Sequence, residues 1–150
     1  EVDNSGYDII LEKDNIIRHI QIKASHKGAT TSKQTFQEAL VEKPSACIVW
    51  IFFDDEFNLG PYYYFGKKAG KPLPVSVLKL DTPCNTRANS HGHKKPRIHH
   101  RQVKKSEFRK IEYKEELYKV LFNPNHPLPK KPSPKNNKKN TRHQNKRQKR

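Results

Sequence analysis

The chain has 150 residues, of which 32% are hydrophobic, and it carries a formal net charge of +16 at neutral pH. An average globular chain is roughly 45–50% apolar, so we expect one small domain together with segments outside any core. No apolar run reaches the roughly 20 residues of a membrane-spanning helix, and no signal peptide opens the chain. The two cysteines, Cys47 and Cys84, do not make a disulfide framework. We therefore predict a cytoplasmic protein with no membrane partner.

The positive charge is unevenly distributed along the chain. Residues 1–80 contain 10 Lys/Arg and 10 Asp/Glu, whereas residues 81–129 contain 11 and 5. Residues 130–150 contain 10 Lys/Arg and no Asp/Glu. A neutral first half followed by an increasingly basic second half predicts a polyanionic partner.

Two short segments near the start of the chain predict a β-hairpin. Apolar and polar residues alternate in residues 6–12 and 19–23, which is the period of a strand. Asp14 and Asn15 lie between them, and both residue types tolerate the positive φ of a two-residue hairpin turn. This turn sets four predicted pairs: Lys13 with Ile16, Glu12 with Ile17, Ile10 with His19, and Asp8 with Gln21.

The register places Asp8, Gln21 and Lys23 on one face of the hairpin. The side chains on the other face are expected to enter a core: Tyr7, Ile9, Leu11, Ile20, Ile22 and Ala24. The Asp8 carboxylate, with the Gln21 amide oxygen or the Ile22 carbonyl, could hold a hard divalent cation. Lys23 could activate a water or stabilise charge on a phosphate. The same spacing also fits an amphipathic hairpin with a solvated polar face.

Asp8, followed across the hairpin by Gln21-x-Lys23, resembles the active-site motif of the PD-(D/E)XK nuclease superfamily, in its variant with Gln at the acidic position. The segments SGYDIILE, IIRHIQIKAS, KPSACIVWI and LGPYYYFG resemble a group of bacterial proteins of this type. The similarity runs from about Asp3 to Phe122. It implies an α/β fold of the restriction-endonuclease-like type, with a mixed sheet flanked by helices.

The resemblance also implies roles for the matched residues. Asp8 and Gln21, with the Ile22 backbone carbonyl, would bind magnesium or manganese, and Lys23 would be the catalytic lysine. The secondary candidates are Glu1, Asp3, Glu12 and His19. The superfamily's domain opens with a helix and a strand before the position of Asp8. Because this chain begins at Glu1, we expect a nuclease-like domain over residues 1–122 that lacks these first two elements.

The rest of the domain is predicted from local patterns. The expected elements are a helix from Lys33 to about Glu42 capped by Ser32, a strand buried on both faces over Ala46–Phe53, a strand at Tyr62–Phe65, a short strand or helical turn at 75–80, and a closing helix over Lys114–Phe122. Asp54, Asp55 and Glu56 follow the buried strand. They could be metal ligands or a solvated turn.

Polar side chains at the predicted helix start and in the long polar segment 81–105 predict contacts with DNA. The candidates are Lys33, Gln34, Arg87, Lys94, Lys95, Arg97, Arg101, Lys104 and Lys105. The same segment contains Cys84 and four histidines, at positions 91, 93, 99 and 100. These lack a paired C-x-x-C or H-x-x-x-H spacing, so we expect no zinc. Residues 123–150 are rich in prolines, amides and positive charge, and predict a disordered basic tail that holds nucleic acid.

Together these features predict a magnesium- or manganese-dependent endonuclease that acts on double-stranded DNA. Two alternatives stay open: a non-catalytic nucleic-acid-binding module of the same fold, and a decayed fragment of such a nuclease. The sequence does not fix the oligomeric state, and a homodimer is one arrangement that it allows.

Overall fold

The computed structural model describes residues 5–132. Within this range the strands are β1 (Ile9–Lys13), β2 (Ile16–His26), β3 (Lys33–Gln37), β4 (Ala46–Phe53), β5 (Leu59–Gly66), β6 (His100–Lys104) and β7 (Arg109–Ile111). One α-helix, α1, covers Lys114–Phe122, and short 3-10 helices cover Glu38–Glu42, Val75–Lys79 and Lys105–Glu107. None of these helices is long and apolar enough to span a bilayer.

The strands form two sheets. The larger sheet has five strands in the order β1-β2-β4-β5-β7, and the smaller one pairs β3 with β6. Only β2 and β4 run parallel, and the other neighbours are antiparallel. The chain is therefore an α/β protein with a mixed sheet, as predicted.

The predicted hairpin is present at the edge of the larger sheet. Asp14 and Asn15 have φ angles of 50° and 63°, the left-handed conformation that the turn requires. The pairs Lys13–Ile16, Glu12–Ile17 and Ile10–His19 form as predicted. The ladder stops at Ile9–Ile20, so Asp8 lies just outside the paired strand.

The predicted strand Ala46–Phe53 is confirmed as central and buried on both faces. On one face, Ile48 and Trp50 belong to a core cluster that β3 and β6 complete with Phe36 and Val103. On the other face, a second cluster is built by β4, β5, β7 and α1, and it contains Cys47, Val49, Tyr62, Tyr64, Ile111, Val120 and Leu121. The closing helix has the bounds that the periodicity predicts.

The predicted helix over Lys33–Glu42 is wrong. Residues 33–37 form β3, which pairs with β6, and residues 38–42 form a 3-10 helix. Backbone pairing with a distant strand outweighs local helical periodicity here, while Phe36 and Leu40 still enter the core. Within residues 5–132, the β3–β6 sheet and two 3-10 helices therefore cover one face of the larger sheet, and α1 covers the other.

Three residues of the predicted apolar face of the hairpin behave differently from expectation. Tyr7 packs against His19 with ring centroids 5.1 Å apart, beside the cluster that contains Trp50. This places it on the opposite face to Ile20, since the regular ladder has already ended. Leu11 and Ala24 are exposed because they lie near the sheet edge, beyond the cover of α1.

The expected tail begins later than residue 123. Leu128 packs against the second core cluster, and Lys131 Nζ contacts Glu107 Oε2 at 2.5 Å. Residues 123–132 thus continue the domain. The remainder of the predicted tail, residues 133–150, lies outside the described residues, as do Glu1 and Asp3.

The acidic loop after β4 forms a turn around one carboxylate. Asp54 Oδ1 accepts hydrogen bonds from the backbone N–H groups of Glu56 and Asn58, and its Oδ2 accepts one from Lys27 Nζ at 2.8 Å. Asp55 is almost fully exposed and pairs with His26. The interpretation of Asp54, Asp55 and Glu56 as a solvated turn therefore agrees with the structure better than a metal site.

The hydrogen bonds to the Asp54 carboxylate should stabilise the protein near pH 7 and cease to do so in acid. The hydrogen bond from Lys27, with those from Asn58, lowers the pKa of Asp54 to about 2. A carboxylate with a lowered folded pKa stabilises the protein above its ordinary pKa of about 4, and this contribution is lost as the pH falls toward 2. We expect Asp54→Asn to melt below the parent at pH 7, and the difference to shrink as the pH falls from 4 to 2. Thermal unfolding followed by circular dichroism measures this.

Asp55→Asn is the matched control, because its carboxylate is 96% exposed. It should melt close to the parent throughout the same pH range. An Asp54→Asn difference that stayed constant from pH 7 to pH 2 would contradict the assignment.

Candidate active site

Asp8 lies immediately before β1, beside β2. Its backbone N–H donates to the Ile20 carbonyl at 2.9 Å, and its Oδ2 accepts the Ile22 N–H at 2.6 Å. The β1–β2 ladder stops at Ile9–Ile20, and beyond it the Asp8 carboxylate takes up the free edge of β2. It reaches β2 beside Ile22, in place of the direct Asp8–Gln21 pair predicted from the register.

Gln21 lies on the face of β2 that the β3–β6 sheet covers. Its Cα is paired with Ile48 of β4, and the residue is only 7% exposed. The side-chain oxygen Oε1 is buried and has no hydrogen-bond partner. An unsatisfied buried acceptor costs free energy, so this position suits a donor or a cation brought by a ligand. The predicted polar face is therefore partly enclosed and is not an open, solvated surface.

Lys23 follows Gln21 on the same face and is half-buried. Its Cα partner in β4 is Trp50, a fully buried residue. Burial lowers the pKa of Lys23, the positive charge of Arg97 lowers it further, and the negative charge of Asp8 opposes both. The ammonium group therefore lies within the electrostatic reach of one carboxylate and one guanidinium.

Arg97 lies just before β6 and His100 is its first residue, and both lie within electrostatic reach of Lys23. Arg97 Nη2 lies 2.6 Å from His100 Nε2. Burial, then the charges of Arg97 and Lys23, lower the pKa of His100. A neutral imidazole can accept the guanidinium hydrogen bond, so His100 orients Arg97. Sequence reasoning placed His100 among the zinc candidates, and no local pattern could have shown its position.

Among the other predicted DNA-contacting residues, Arg101 is bound to groups within the protein, whereas most of the rest are exposed to solvent. Arg101 pairs with Glu38 and donates to the carbonyl oxygens of Leu78, Ile98 and His100. Its guanidinium therefore holds the loops around the site together. Lys33 and Lys104 are exposed opposite one another in the smaller sheet, where Gln34 pairs with Val103. The exposed side chains between β5 and β6 include Arg87, Lys94 and Lys95.

Lys105 has a different environment from that expected of a DNA contact. Its Nζ lies 4.1 Å from the ring centroid of Phe52, 4.6 Å from that of Tyr63 and 5.4 Å from that of Trp50. Burial lowers its pKa, and the charge of Lys110 lowers it further. The ammonium therefore caps the aromatic core through cation–π contacts.

The remaining candidate ligands are scattered. Cys84 is exposed and forms an isolated bridge with Pro96, while Glu12 is exposed and His19 packs on Tyr7. Over residues 5–132, no group of three or more His, Cys, Asp and Glu side chains is placed to hold a metal ion.

The donors near Lys23 nevertheless suit magnesium in kind. Asp8 supplies a carboxylate, of which one oxygen already accepts the Ile22 N–H, and Gln21 supplies a buried oxygen without a partner. Magnesium prefers oxygen ligands and usually keeps several waters, so two protein oxygens are an adequate set. The residues present fit a hydrated magnesium or manganese ion.

No known protein family, curated protein or solved structure matches this chain. The chemistry of the site therefore rests on the residues described above.

Proposed function

We propose that this protein hydrolyses phosphodiester bonds in double-stranded DNA in a metal-dependent reaction. One observation carries the proposal. Lys23 is half-buried and within electrostatic reach of the Asp8 carboxylate and the Arg97 guanidinium, on the strand face that also carries Gln21 with its unpartnered oxygen. A carboxylate, an amide oxygen and two cations are the groups that cleavage of a phosphodiester needs.

Asp8, Gln21 and the Ile22 carbonyl would hold magnesium or manganese. When bound, the ion would polarise the phosphate and lower the pKa of a water molecule. The hydrogen bond from the Ile22 N–H fixes one Asp8 oxygen, which leaves the other oxygen to face a ligand. Oxygen donors alone do not favour magnesium over manganese.

Lys23 and Arg97 would both bind the scissile phosphate. Lys23 can donate to the attacking water or to a phosphate oxygen, where negative charge develops in the transition state. Arg97 can donate two parallel hydrogen bonds to phosphate oxygens, and His100 keeps its guanidinium oriented. The partial burial of Lys23 strengthens these interactions, because water screens them less.

The resemblance to the PD-(D/E)XK superfamily supports the same reaction. The mixed sheet and the order of Asp8, Gln21 and Lys23 along the chain support a restriction-endonuclease-like fold, which we infer here. The excess of positive charge in residues 81–150 supports a DNA substrate, since phosphate neutralisation supplies most of non-specific affinity.

A nucleic-acid-binding module without catalysis is the second candidate. It is favoured by the small number of acidic ligands, because Asp8 is the one carboxylate that the described residues place with Gln21 and Lys23, and no three-ligand group is present within residues 5–132. Such a module would keep the DNA affinity and lack metal-supported cleavage.

Metal-supported cleavage separates the two candidates. Incubated with supercoiled plasmid, the full chain should nick or linearise it with magnesium or manganese, and EDTA should abolish this. Asp8→Asn should lose metal affinity and cleavage together, since the cation depends on its carboxylate. Calorimetric titration with manganese measures the affinity directly.

Asp14→Asn is the matched control, because it removes a carboxylate from the same hairpin and keeps a residue that tolerates the turn. It should bind metal and cleave like the parent. A folded parent that binds DNA and never cleaves it would make the binding module the better assignment.

A further inference from the structure

The polar segment between the 3-10 helix at Val75–Lys79 and β6 forms a projecting arm. Residues 83–97, here called the basic arm, run out and back as an antiparallel pair. Its backbone hydrogen bonds join the Arg97 N–H to the Pro83 carbonyl, the Asn85 N–H to the Lys95 carbonyl, and the Asn89 N–H to the His93 carbonyl. These bonds and the isolated bridge between Cys84 and Pro96 make the basic arm a short two-stranded ribbon.

A compact turn closes the tip of the basic arm. The Asn89 side-chain oxygen accepts the N–H groups of His91 and His93 at 3.0 and 2.8 Å, and the Gly92 N–H donates to the Asn89 carbonyl. Gly92 has a φ of 77°, which glycine adopts without strain. One asparagine therefore orders the turn that carries both histidines.

The basic arm has no core of its own. Every residue from 84 to 97 is exposed, and residues 83–97 contain Arg87, Lys94, Lys95 and Arg97 but no Asp or Glu. A ribbon that is held together by backbone hydrogen bonds and carries charge of one sign is built to meet a polyanion. Its base adjoins the candidate site, because Arg97 contacts His100 and acts electrostatically on Lys23.

We infer that the basic arm enters the major groove of duplex DNA and makes the site specific for a B-form duplex. The major groove is about 12 Å wide and about 8.5 Å deep, and it admits a two-stranded β-ribbon. Each limb of the arm, residues 83–89 and 91–97, is long enough at about 3.3 Å per residue to reach the groove floor. Arg87, Lys94 and Lys95 then contact the flanking phosphates, and the Asn89–His93 turn faces base edges.

The composition of the basic arm disfavours other nucleic acids. Residues 83–97 contain no Phe, Tyr or Trp, the side chains on which single-stranded bases stack. The major groove of A-form RNA is deep and too narrow for side chains to read. B-form duplex DNA would thus be the substrate of the proposed nuclease. The inference rests on the proposed function only for the delivery of DNA to Lys23, since binding in the groove needs no cleavage.

Binding measured in EDTA tests the inference without catalysis. Fluorescence anisotropy with a labelled 25-base-pair DNA compares the full-length parent with the triple variant Arg87→Gln, Lys94→Gln and Lys95→Gln. We expect at least a tenfold loss of affinity at 150 mM salt. The slope of log K against log salt, which is negative, should become shallower by about 2.7 if each side chain contacts one phosphate. The charge-matched control replaces three exposed lysines that follow β5: Lys67, Lys68 and Lys71, each by Gln. It should stay within about threefold of the parent.

The shape of the ribbon is tested separately from its charge. Asn89→Ala keeps every positive charge and loosens the turn, so it should weaken duplex binding several-fold with little change in the salt slope. Methyl green, which occupies the major groove, should compete with the parent, whereas a minor-groove ligand such as netropsin should not. The parent should prefer duplex DNA to single-stranded DNA and to duplex RNA.

The triple variant binding as tightly as the parent would overturn the inference, and so would equal affinity for duplex RNA or competition by netropsin alone. These outcomes are distinct from failure of the proposed function. A parent that binds duplex DNA through the basic arm and never cleaves it would retain this inference while the nuclease assignment fell.

Discussion

Lys23→Met is expected to slow plasmid cleavage by at least about 100-fold, because the loss of one group that stabilises developing charge costs about that much or more. Methionine keeps the length of the side chain and its packing beside Trp50, so the variant should fold. Its affinity for duplex DNA in EDTA should stay within about twofold of the parent, since most of the positive charge lies elsewhere. Initial rates of supercoil loss at saturating protein give the comparison.

Lys27→Met is the matched control for Lys23→Met. Lys27 follows β2 directly, and its ammonium pairs with Asp54 in the turn after β4. Its loss should reduce stability and leave the cleavage rate within about threefold of the parent. Cleavage by Lys23→Met at the parent rate would show that the active site does not include Lys23.

Arg18 gives the second large effect, on stability. It is fully buried, and its Nη atoms donate to Ser45 Oγ at 3.0 Å and to Tyr64 Oη at 2.6 Å, while its Nε has no partner. Burial raises the pKa of the Tyr64 hydroxyl and of the Cys47 thiol, so both are uncharged near pH 7. The guanidinium is thus a buried charge surrounded by neutral groups, an arrangement that is costly to desolvate.

The partners of Arg18 keep other hydrogen bonds when it is removed. Tyr64 Oη also donates to the Lys67 carbonyl at 2.5 Å, and Ser45 Oγ also accepts the Gly70 N–H at 3.1 Å. Arg18→Met should therefore be as stable as the parent or more stable by up to about 2 kcal/mol, because it fills the space without a buried charge. Arg18→Ala should be less stable by about 2–4 kcal/mol, because it leaves a cavity.

Urea unfolding followed by tryptophan fluorescence measures both Arg18 variants, since Trp50 is the single tryptophan and is fully buried. Arg18→Leu, which is also apolar but shorter, should fall between Met and Ala. If Arg18→Met proved as unstable as Arg18→Ala, the guanidinium would be a net stabilising group and this view of the core would be wrong.

Features that depend on neighbouring residues were predictable from the sequence. The Asp14–Asn15 turn set the hairpin register, the continuous apolar run identified the central strand β4, and the local pattern of residues 114–122 identified α1. In each case the signal lies within one continuous local segment of the chain. The hairpin register was sufficient to place Gln21 and Lys23 on one strand face.

Features that depend on distant pairing were not predictable. Residues 33–37 have helical spacing, but the backbone of β6 pairs with them from more than 60 residues away. That pairing also brings Arg97 and His100 to Lys23 and encloses Gln21. The predicted Asp8–Gln21 pair does not form because the ladder stops at Ile9–Ile20. The alternation of apolar and polar residues does not show where an edge strand stops pairing.

The β3–β6 sheet also has a consequence for motion. It has two strands of five residues, and an isolated two-stranded sheet is marginal in stability, whereas β2 and β4 lie inside a five-stranded sheet. Local opening of the smaller sheet therefore costs less free energy than global unfolding. In native-state hydrogen exchange, the amides of β3 and β6 should lose protection before those of β4. Each such opening would uncover Gln21 and Lys23 while β2, which carries them, stays folded. Access to the candidate site can therefore change without unfolding of the larger sheet.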